Sequence, residues 1–269
     1  DEGCYVYELE ADTTIPSEFI ILMHFRGEID LKLQNKIKKY LLINQDKKGG
    51  WPLFFDGEPN LSASVKAYFA LKLAGEKGTS IAMMKAKKLI HKMGGAQNVN
   101  VFTRITLALF GQISWEVIPF MPPEIMRFPK WFPFTIYKIS YWSRTVLIPL
   151  LIIMYKKPLA NNPNVININE LFTGENNQML SNGNKTISSF FFLQVDKLAK
   201  IIFPKFSKKF KESCIQDAYN WILKRLNGYD GLGGIFPAMV NSLIAFEIDD
   251  KKRFSKEIDI VHMAITKLI

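Results

Sequence analysis

From Phe19 to Leu268 the apolar residues of this chain recur three and four positions apart, a period that confines it to helices packed on helices. Phe19, Leu22 and Met23 share one helical face, with Phe25 following, behind Pro16, a residue suited to a first helical turn. A second helix is expected from Asp30 to Asn44, with Ile37, Tyr40 and Leu41 inward. In the third, LSASVKAYFALKLAG, Asn60 is the expected N-cap and Gly75 the stop. Leu61, Val65, Tyr68, Phe69, Leu71 and Leu73 leave that helix little polar face, so it is expected to be largely buried. Further helices are expected over 80–92, 101–110, 134–155, 186–202, 210–227, 236–246 and 254–268. In the 210–227 helix, Phe210, Cys214, Ala218, Trp221 and Ile222 fall on one face. Alternation is confined to NVININ, 164–169, read as an extended link. LFTGENNQMLSNGNK reads as a loop, and MPPEIMRFPKWFPF, with four prolines, as a rigid irregular connector. The fold class expected is all-α.

Between the second and third helices stands YLLINQDKKGGW, in which Gln45, Gly49 and Trp51 are spaced Gln-x3-Gly-x-Trp. A glutamine amide at a helix end can bond free carbonyls there, reach the open N–H groups of the next helix, or stack on the indole of Trp51. Gly49 and Gly50 permit the chain reversal. Standing alone, the spacing is that of an ordinary helix–loop–helix turn. DEGCY at the start is similar to the tail of another copy, with Tyr5 in the place of Trp. WILKRLNGYDGLGG is similar to a third, with Leu226, Asp230 and Leu232 where Gln, Gly and Trp would stand.

Composition narrows the function classes. A length of 269 residues, 48% of them hydrophobic, is enough for a substantial core. The net charge of +10 points to acidic partners, nucleic acid or anionic lipid. Most of that charge is lysine, with only six arginines and no recognition module, so no nucleic-acid partner is assigned. Cys4 and Cys214 imply no disulfide framework, and a reducing compartment fits. His24, His91 and His262 are far apart and share no ligand spacing, so no metal and no cofactor is assigned. The run Val146 to Tyr155 is about half of what a bilayer-spanning helix needs. It is expected to be a buried helix or a segment in the membrane interface.

The Gln-x3-Gly-x-Trp element resembles the QW motif of squalene–hopene cyclases and their oxidosqualene cyclase relatives. The resemblance runs along essentially the whole chain. EADTTIPSEFIILMHF, GGWPLFFDGEPNLSASVKAYFALKLAG, NVFTRITLALFGQISWEVIPFMPPEIM, KISYWSRTVLIPL and DGLGGIFPAMVNSLIA resemble, in order, blocks of the N-terminal half of a bacterial squalene–hopene cyclase. It implies an α/α toroid, with 1–269 forming most of one α/α barrel and the C-terminal catalytic barrel lying outside. It implies proton-initiated cyclisation of squalene or a related isoprenoid in a large apolar cavity, at the cytoplasmic side of a membrane, on a peripheral, monotopic protein. An alkene is a weak base, so the family's acid, the central Asp of an Asp-x-Asp-Asp motif, must be strong and shielded from water.

That motif does not occur here. The nearest string, EIDD at 247–250, ends an apolar helix and runs into KKR, and is read as a solvated helix terminus. No catalytic residue is therefore assigned. The chain is expected to begin inside one QW repeat and stop before the acid, and to be inactive alone. Its expected protein partner is the missing C-terminal half or a homo-oligomer. By resemblance, Trp142 lines the cavity, Ile235 and Pro237 are wall residues near the substrate's terminal part, and Phe102 is a further aromatic there. Glu18 matches a polar residue supporting the site's hydrogen bonding, and Phe236 stands where some relatives have Gln. The residues by themselves read Trp142, Phe102 and Ile235 as ordinary core. Two other functions compete: a non-catalytic lipid-binding or membrane-docking remnant of such an enzyme, and a different α/α-toroid protein such as a prenyltransferase subunit. The last would need a zinc ligand cluster that the sequence does not offer.

Overall fold

The computed structural model describes residues 12–132, 135–162, 165–174 and 205–268. Among these, nine α-helices carry the chain: α1 Thr14–Arg26, α2 Leu31–Ile43, α3 Leu61–Leu73, α4 Ile81–Lys92, α5 Val101–Leu109, α6 Tyr141–Lys156, α7 Lys208–Leu223, α8 Phe236–Glu247 and α9 Ser255–Thr266. β pairing among the described residues is limited to two isolated bridges, Pro52–Pro59 and Asn227–Gly231. The chain is all-α, as its apolar period requires. The helix expected over 186–202, the DEGCY copy and most of the Asn-rich loop lie outside the described residues. Residues 12–114 with 160–174 belong to one compact unit, and 115–159 with 205–268 to another.

In the first unit α3 is the centre. Val65, Ala67, Tyr68, Phe69, Ala70 and Leu71 are all fully buried, and each large apolar side chain so buried contributes roughly 1.5–3 kcal/mol. The ends of α3 are set by the residues the sequence offers. Asn60 Oδ1 accepts from the Ala63 N–H at 3.1 Å, and Gly75 takes the left-handed conformation. The N–H groups of Gly75 and Glu76 donate to the carbonyls of Lys72 and Leu71, at 3.1 and 2.9 Å, a closure that uses the otherwise orphaned last carbonyls. Helix α1 buries Phe19 to Met23 without interruption, a wider face than the expected stripe, because it packs on both α2 and α3. Helix α2 buries Gln34, Ile37 and Leu41, and Tyr40 stands on the flank of that face rather than within it. A turn at 169–171 closes on this unit. There Glu170 accepts from the Tyr68 hydroxyl at 2.9 Å and from Lys72 Nζ at 2.5 Å, and its carbonyl faces His91 Nε2 at 2.7 Å.

The second unit packs α6 on α7 and α8, and α8 on α9. Its centre is aromatic: the Tyr219 and Phe246 rings lie 5.0 and 4.9 Å from that of Phe254, and the Tyr219 hydroxyl donates to the Ala245 carbonyl at 2.9 Å. On α7 the buried face is Cys214, Ile215, Ala218, Tyr219 and Ile222, with Phe210 and Trp221 displaced to its edges. Helix α6 starts at Tyr141, later than the expected 134, because Ser140 is extended and its Oγ accepts from the Ser143 N–H at 3.2 Å. Among the described residues of 135–140 the helical content ahead of it is a 3-10 turn, Ile136–Lys138. Ile148 to Ile153 are buried, so this apolar run is core. Among the described residues no helix is long and apolar enough to cross a membrane. The proline-rich connector contains a 3-10 turn at Pro123–Arg127 packed on α7, where Arg127 Nε meets Asp217 Oδ2 at 2.5 Å.

Candidate functional site

The loop after α2 binds three helices. Gln45 Nε2 donates to the carbonyl of Gly49 and to that of Ala82 in the first turn of α4, both at 2.9 Å. The amide thus meets a carbonyl of α4, where an open N–H group of the next helix was an expected partner. Trp51 is fully buried. Its indole N–H donates to the Leu41 carbonyl on α2 at 2.8 Å, and its backbone N–H donates to Ser64 Oγ on α3 at 3.0 Å. Gly49 has φ +97°, and a Cβ there would lie 2.7 Å from Lys85 Cβ on α4. One at Gly50 would lie 2.5 Å from Leu89 Cδ2. No side chain larger than hydrogen fits at either position.

The loop after α7 repeats the backbone part of this arrangement. The Asp46 N–H donates to the Gly50 carbonyl at 2.9 Å, and the Asn227 N–H donates to the Gly231 carbonyl at 3.0 Å. Asn227 Oδ1 accepts from the N–H groups of Tyr229 and Asp230. Leu232 is fully buried in the place corresponding to Trp51. A Cβ on Gly231 would fall 2.6 Å from Met239 Sδ on α8 and 2.9 Å from Ala264 Cβ on α9.

Of the residues expected at the site, Glu18 and Phe102 lie in the first unit and Trp142, Ile235 and Pro237 in the second. Glu18, on α1, forms a salt bridge with Lys66, which is buried within α3. Its carboxylate is therefore committed to a cation of its own unit. Phe102, in the first turn of α5, is 45% exposed, and Trp142, in the first turn of α6, is 58% exposed. Neither is core. Ile235 is half-buried just ahead of α8, Pro237 is exposed in its first turn, and Phe236 between them points inward.

The structure brings Trp142 to the glycines that precede Ile235. Its ring edge is 3.3 Å from where a Cβ on Gly233 would stand, and Gly233 has φ +70°. Tyr141 lies edge-on to Trp142 with centroids 5.6 Å apart, and 6.2 Å from Trp221. The Arg225 guanidinium lies 4.0 Å over Trp221. The result is a row of aromatic rings with Trp142 open at one end and a cation at the other. Exposed π faces of this kind attract apolar molecules and positive charge.

The 247–250 segment is less solvated than its composition implies. The Glu247 side chain is 4% exposed and faces Lys251 Nζ at 3.6 Å. Asp249 pairs with Lys156 at the end of α6, which α8 packs beside. Asp250 Oδ1 accepts from the N–H groups of Lys252 and Arg253. Among the described residues no three or more His, Cys, Asp or Glu side chains converge to hold a metal ion. Sequence reasoning missed Lys66, whose signal was a lone charge in SVKAYFA. It also missed Tyr141, Trp221 and Arg225, whose neighbourhood depends on which helices meet.

Comparison with known proteins adds a family to this geometry. The profile described as squalene-hopene cyclase N-terminal domain matches residues 1–269. The squalene–hopene cyclase of Zymomonas mobilis is 43% identical over all of this chain and 41% of its own length. That of Alicyclobacillus acidocaldarius is 34% identical over 93% of the chain and 40% of its own length. The dammaradiene synthase of Dryopteris crassirhizoma is 32% identical over 91% of the chain and 36% of its own length. The chain spans about two-fifths of the length of the first two of these relatives.

Proposed function

Because the chain belongs to the squalene–hopene cyclase family, through the N-terminal domain it matches from end to end, we propose that it supplies wall, and not acid, to a cavity in which squalene or a related isoprenoid is cyclised. The proton donor lies outside these 269 residues, in the remaining part of the enzyme, on the same or another polypeptide. Trp142, Phe102, Ile235 and Pro237 face the substrate. Glu18, with Lys66, holds α1 against α3. Gln45, Gly49 and Trp51 serve as a QW clasp of the family type. The observation that carries this reading is Trp142: a large aromatic ring, positioned by Tyr141 and a glycine backbone, left 58% exposed. Keeping such a ring open costs hydrophobic stabilisation that burial would provide. A π face turned to passing carbocations is a reason to keep it.

The test is to produce the chain together with a C-terminal polypeptide carrying the Asp-x-Asp-Asp motif, and to analyse extracted lipids. Trp142→Phe should retain most cyclised product. Trp142→Ala should lower it about 30-fold, the rate equivalent of a desolvated cation–π contact worth roughly 2 kcal/mol. Equal product from both variants would remove Trp142 from the wall. Cyclised product from the chain alone would remove the premise that the acid lies elsewhere.

A second reading has its own support. Trp131 is 77% exposed beside Lys130, whose ammonium lies 5.7 Å over the exposed Tyr137 ring. Aromatic rings with lysines suit the headgroup region of a bilayer. This supports a peripheral, monotopic position at a membrane surface, on the cytoplasmic side if the family resemblance holds there too, for the enzyme or for a non-catalytic remnant that only docks there.

A further inference from the structure

Helices α2 and α4 of the first unit carry four lysines each and no aspartate or glutamate. Lys32, Lys36 and Lys39 stand four and three positions apart along α2, and Lys85, Lys88 and Lys92 three and four apart along α4, so each set forms one stripe. All six are exposed, as is Lys47 in the loop after α2. Among the described residues none of these lysine side chains has an ion-pair or hydrogen-bond partner. Acids close in sequence are engaged elsewhere: Glu76 with Lys38 at 2.9 Å, Glu58 with Lys48 at 2.5 Å, and Asp46 with the Gly50 N–H at 2.8 Å. The two stripes meet at the loop, since Gln45 Nε2 donates to the Ala82 carbonyl at 2.9 Å and Gly49 lies against the backbone of Lys85. Beside that junction Ile43, Ile81 and Met84 are 69%, 71% and 52% exposed.

Like charges three and four positions apart repel along a helix, and a surface that meets only water ordinarily interleaves acids among them. Here the repulsion is left in place on two helices at once, and a layer of negative charge would relieve it. The identity of that layer follows from the residue types. Neither helix nor the loop between α2 and Gly50 contains arginine, the side chain suited to reading bases. The exposed isoleucines and methionine have no counterpart along a nucleic-acid phosphate backbone. In a bilayer interface both features have a place: ammonium groups at lipid phosphates, and lysine stems with the three apolar side chains at the edge of the acyl region.

We propose that the outward face of α2, the 44–49 loop and α4 docks on anionic phospholipid, with Lys36, Lys39, Lys85 and Lys88 at the headgroups and Ile43, Ile81 and Met84 seated between them. The proposal goes beyond the membrane reading of the second unit, because it uses none of Trp131, Lys130 or Tyr137 and assigns the first unit a selectivity for lipid charge.

The test measures partition of the full chain onto phosphatidylcholine vesicles with and without about 30% phosphatidylglycerol, at about 0.15 M salt. The wild-type chain should prefer the anionic vesicles by about 100-fold or more, each lysine near the surface being worth about fivefold. Lys36→Gln with Lys39→Gln, and separately Lys85→Gln with Lys88→Gln, should each lower that preference by about tenfold or more, and all four together by about 100-fold. None of these variants should lower the melting temperature, since no partner is lost. Arginine at the same four positions should keep the preference, and Ile81→Ser with Met84→Ser should weaken binding to anionic vesicles. No preference for anionic vesicles, an unchanged preference in the fourfold glutamine variant, or a loss confined to one helix would each overturn the proposal. So would binding of a DNA duplex as tight as that of the anionic vesicles, or loss of the preference once a C-terminal polypeptide of the enzyme is bound, which would make that polypeptide the occupant. If Trp131→Ser with Tyr137→Ser abolishes binding while the glutamine variants bind as wild type, the reading of the second unit stands and this one falls; the reverse pattern upholds this one alone.

Discussion

Lys66 is a charge inside a helix that is otherwise sealed, and Glu18 is what makes its burial tolerable. Removing one partner of a buried pair strands the other, at a cost of about 3–5 kcal/mol, whereas replacing both by apolar residues is often neutral. Glu18→Ala should therefore lower stability in urea by about that amount, and Glu18→Leu with Lys66→Met should recover most of it. A loss below about 0.5 kcal/mol in the single variant, the range of an ordinary surface change, would mean the pair is not formed. The lone lysine was visible in the sequence, but its partner was not. Periodicity assigns a residue to a face and is silent on which helix covers that face. His24 offers a second test at this scale. Burial lowers its pKa below the ordinary 6.5, and the bond with Gln34 Oε1 at 2.7 Å offsets that only in part. Above pH 6.5 neither the folded nor the unfolded chain protonates it, and its neutral form contributes fully. As pH falls through 6.5 the unfolded chain takes up a proton that the folded chain refuses, and stability drops until the lowered pKa is passed. The stability difference between wild type and His24→Gln should shrink from pH 7.5 to 5.5, and a constant difference would contradict the shift.

At the scale of elements, the sequence announced most helices through residues with a definite local task. Asn60 and Gly75 bound α3 as expected, since capping is decided within one turn. The start of α6 was not legible, because apolar residues continue on both sides of Ser140 and the break rests on one hydroxyl. The candidate wall residues became legible only through resemblance, since an aromatic ring in a sequence reads the same whether it ends in core or in the open. Trp142 and Phe102 are the cases where structure separates the two. Glycines make a prediction here. Gly231 has φ +60° and a Cβ there would meet Met239 and Ala264, whereas one on Gly228 would meet nothing within 4 Å. Gly231→Ala should cost about 2 kcal/mol or more, combining the left-handed backbone with overpacking. Gly228→Ala should stay within about 0.5 kcal/mol. Equal midpoints in chemical denaturation would show that the loop does not dock between α8 and α9.

For the molecule as a whole, the sequence conveyed the all-α class and the family, because period and block order survive substitution. It did not convey that 160–174 returns to the first unit, an arrangement made by Glu170 with Tyr68, Lys72 and His91 rather than by any pattern in the chain. Membrane docking is a property to test at this scale. If the exposed Trp131, Tyr137 and their neighbours insert among headgroups, co-sedimentation with anionic liposomes should persist at about 0.5 M salt, where charge attraction reaches only a few ångströms. Release at that salt would mean that lysines alone hold the surface. The two loops that each begin a backbone bracket also differ in how they are tethered. The one at 45–51 is anchored by side chains to α2, α3 and α4, whereas in the one at 226–232 the side chain of Asn227 bonds to the N–H groups of the loop itself. On gentle warming in heavy water the second should open sooner, and its amides should take up deuterium while those around Trp51 still hold their protons.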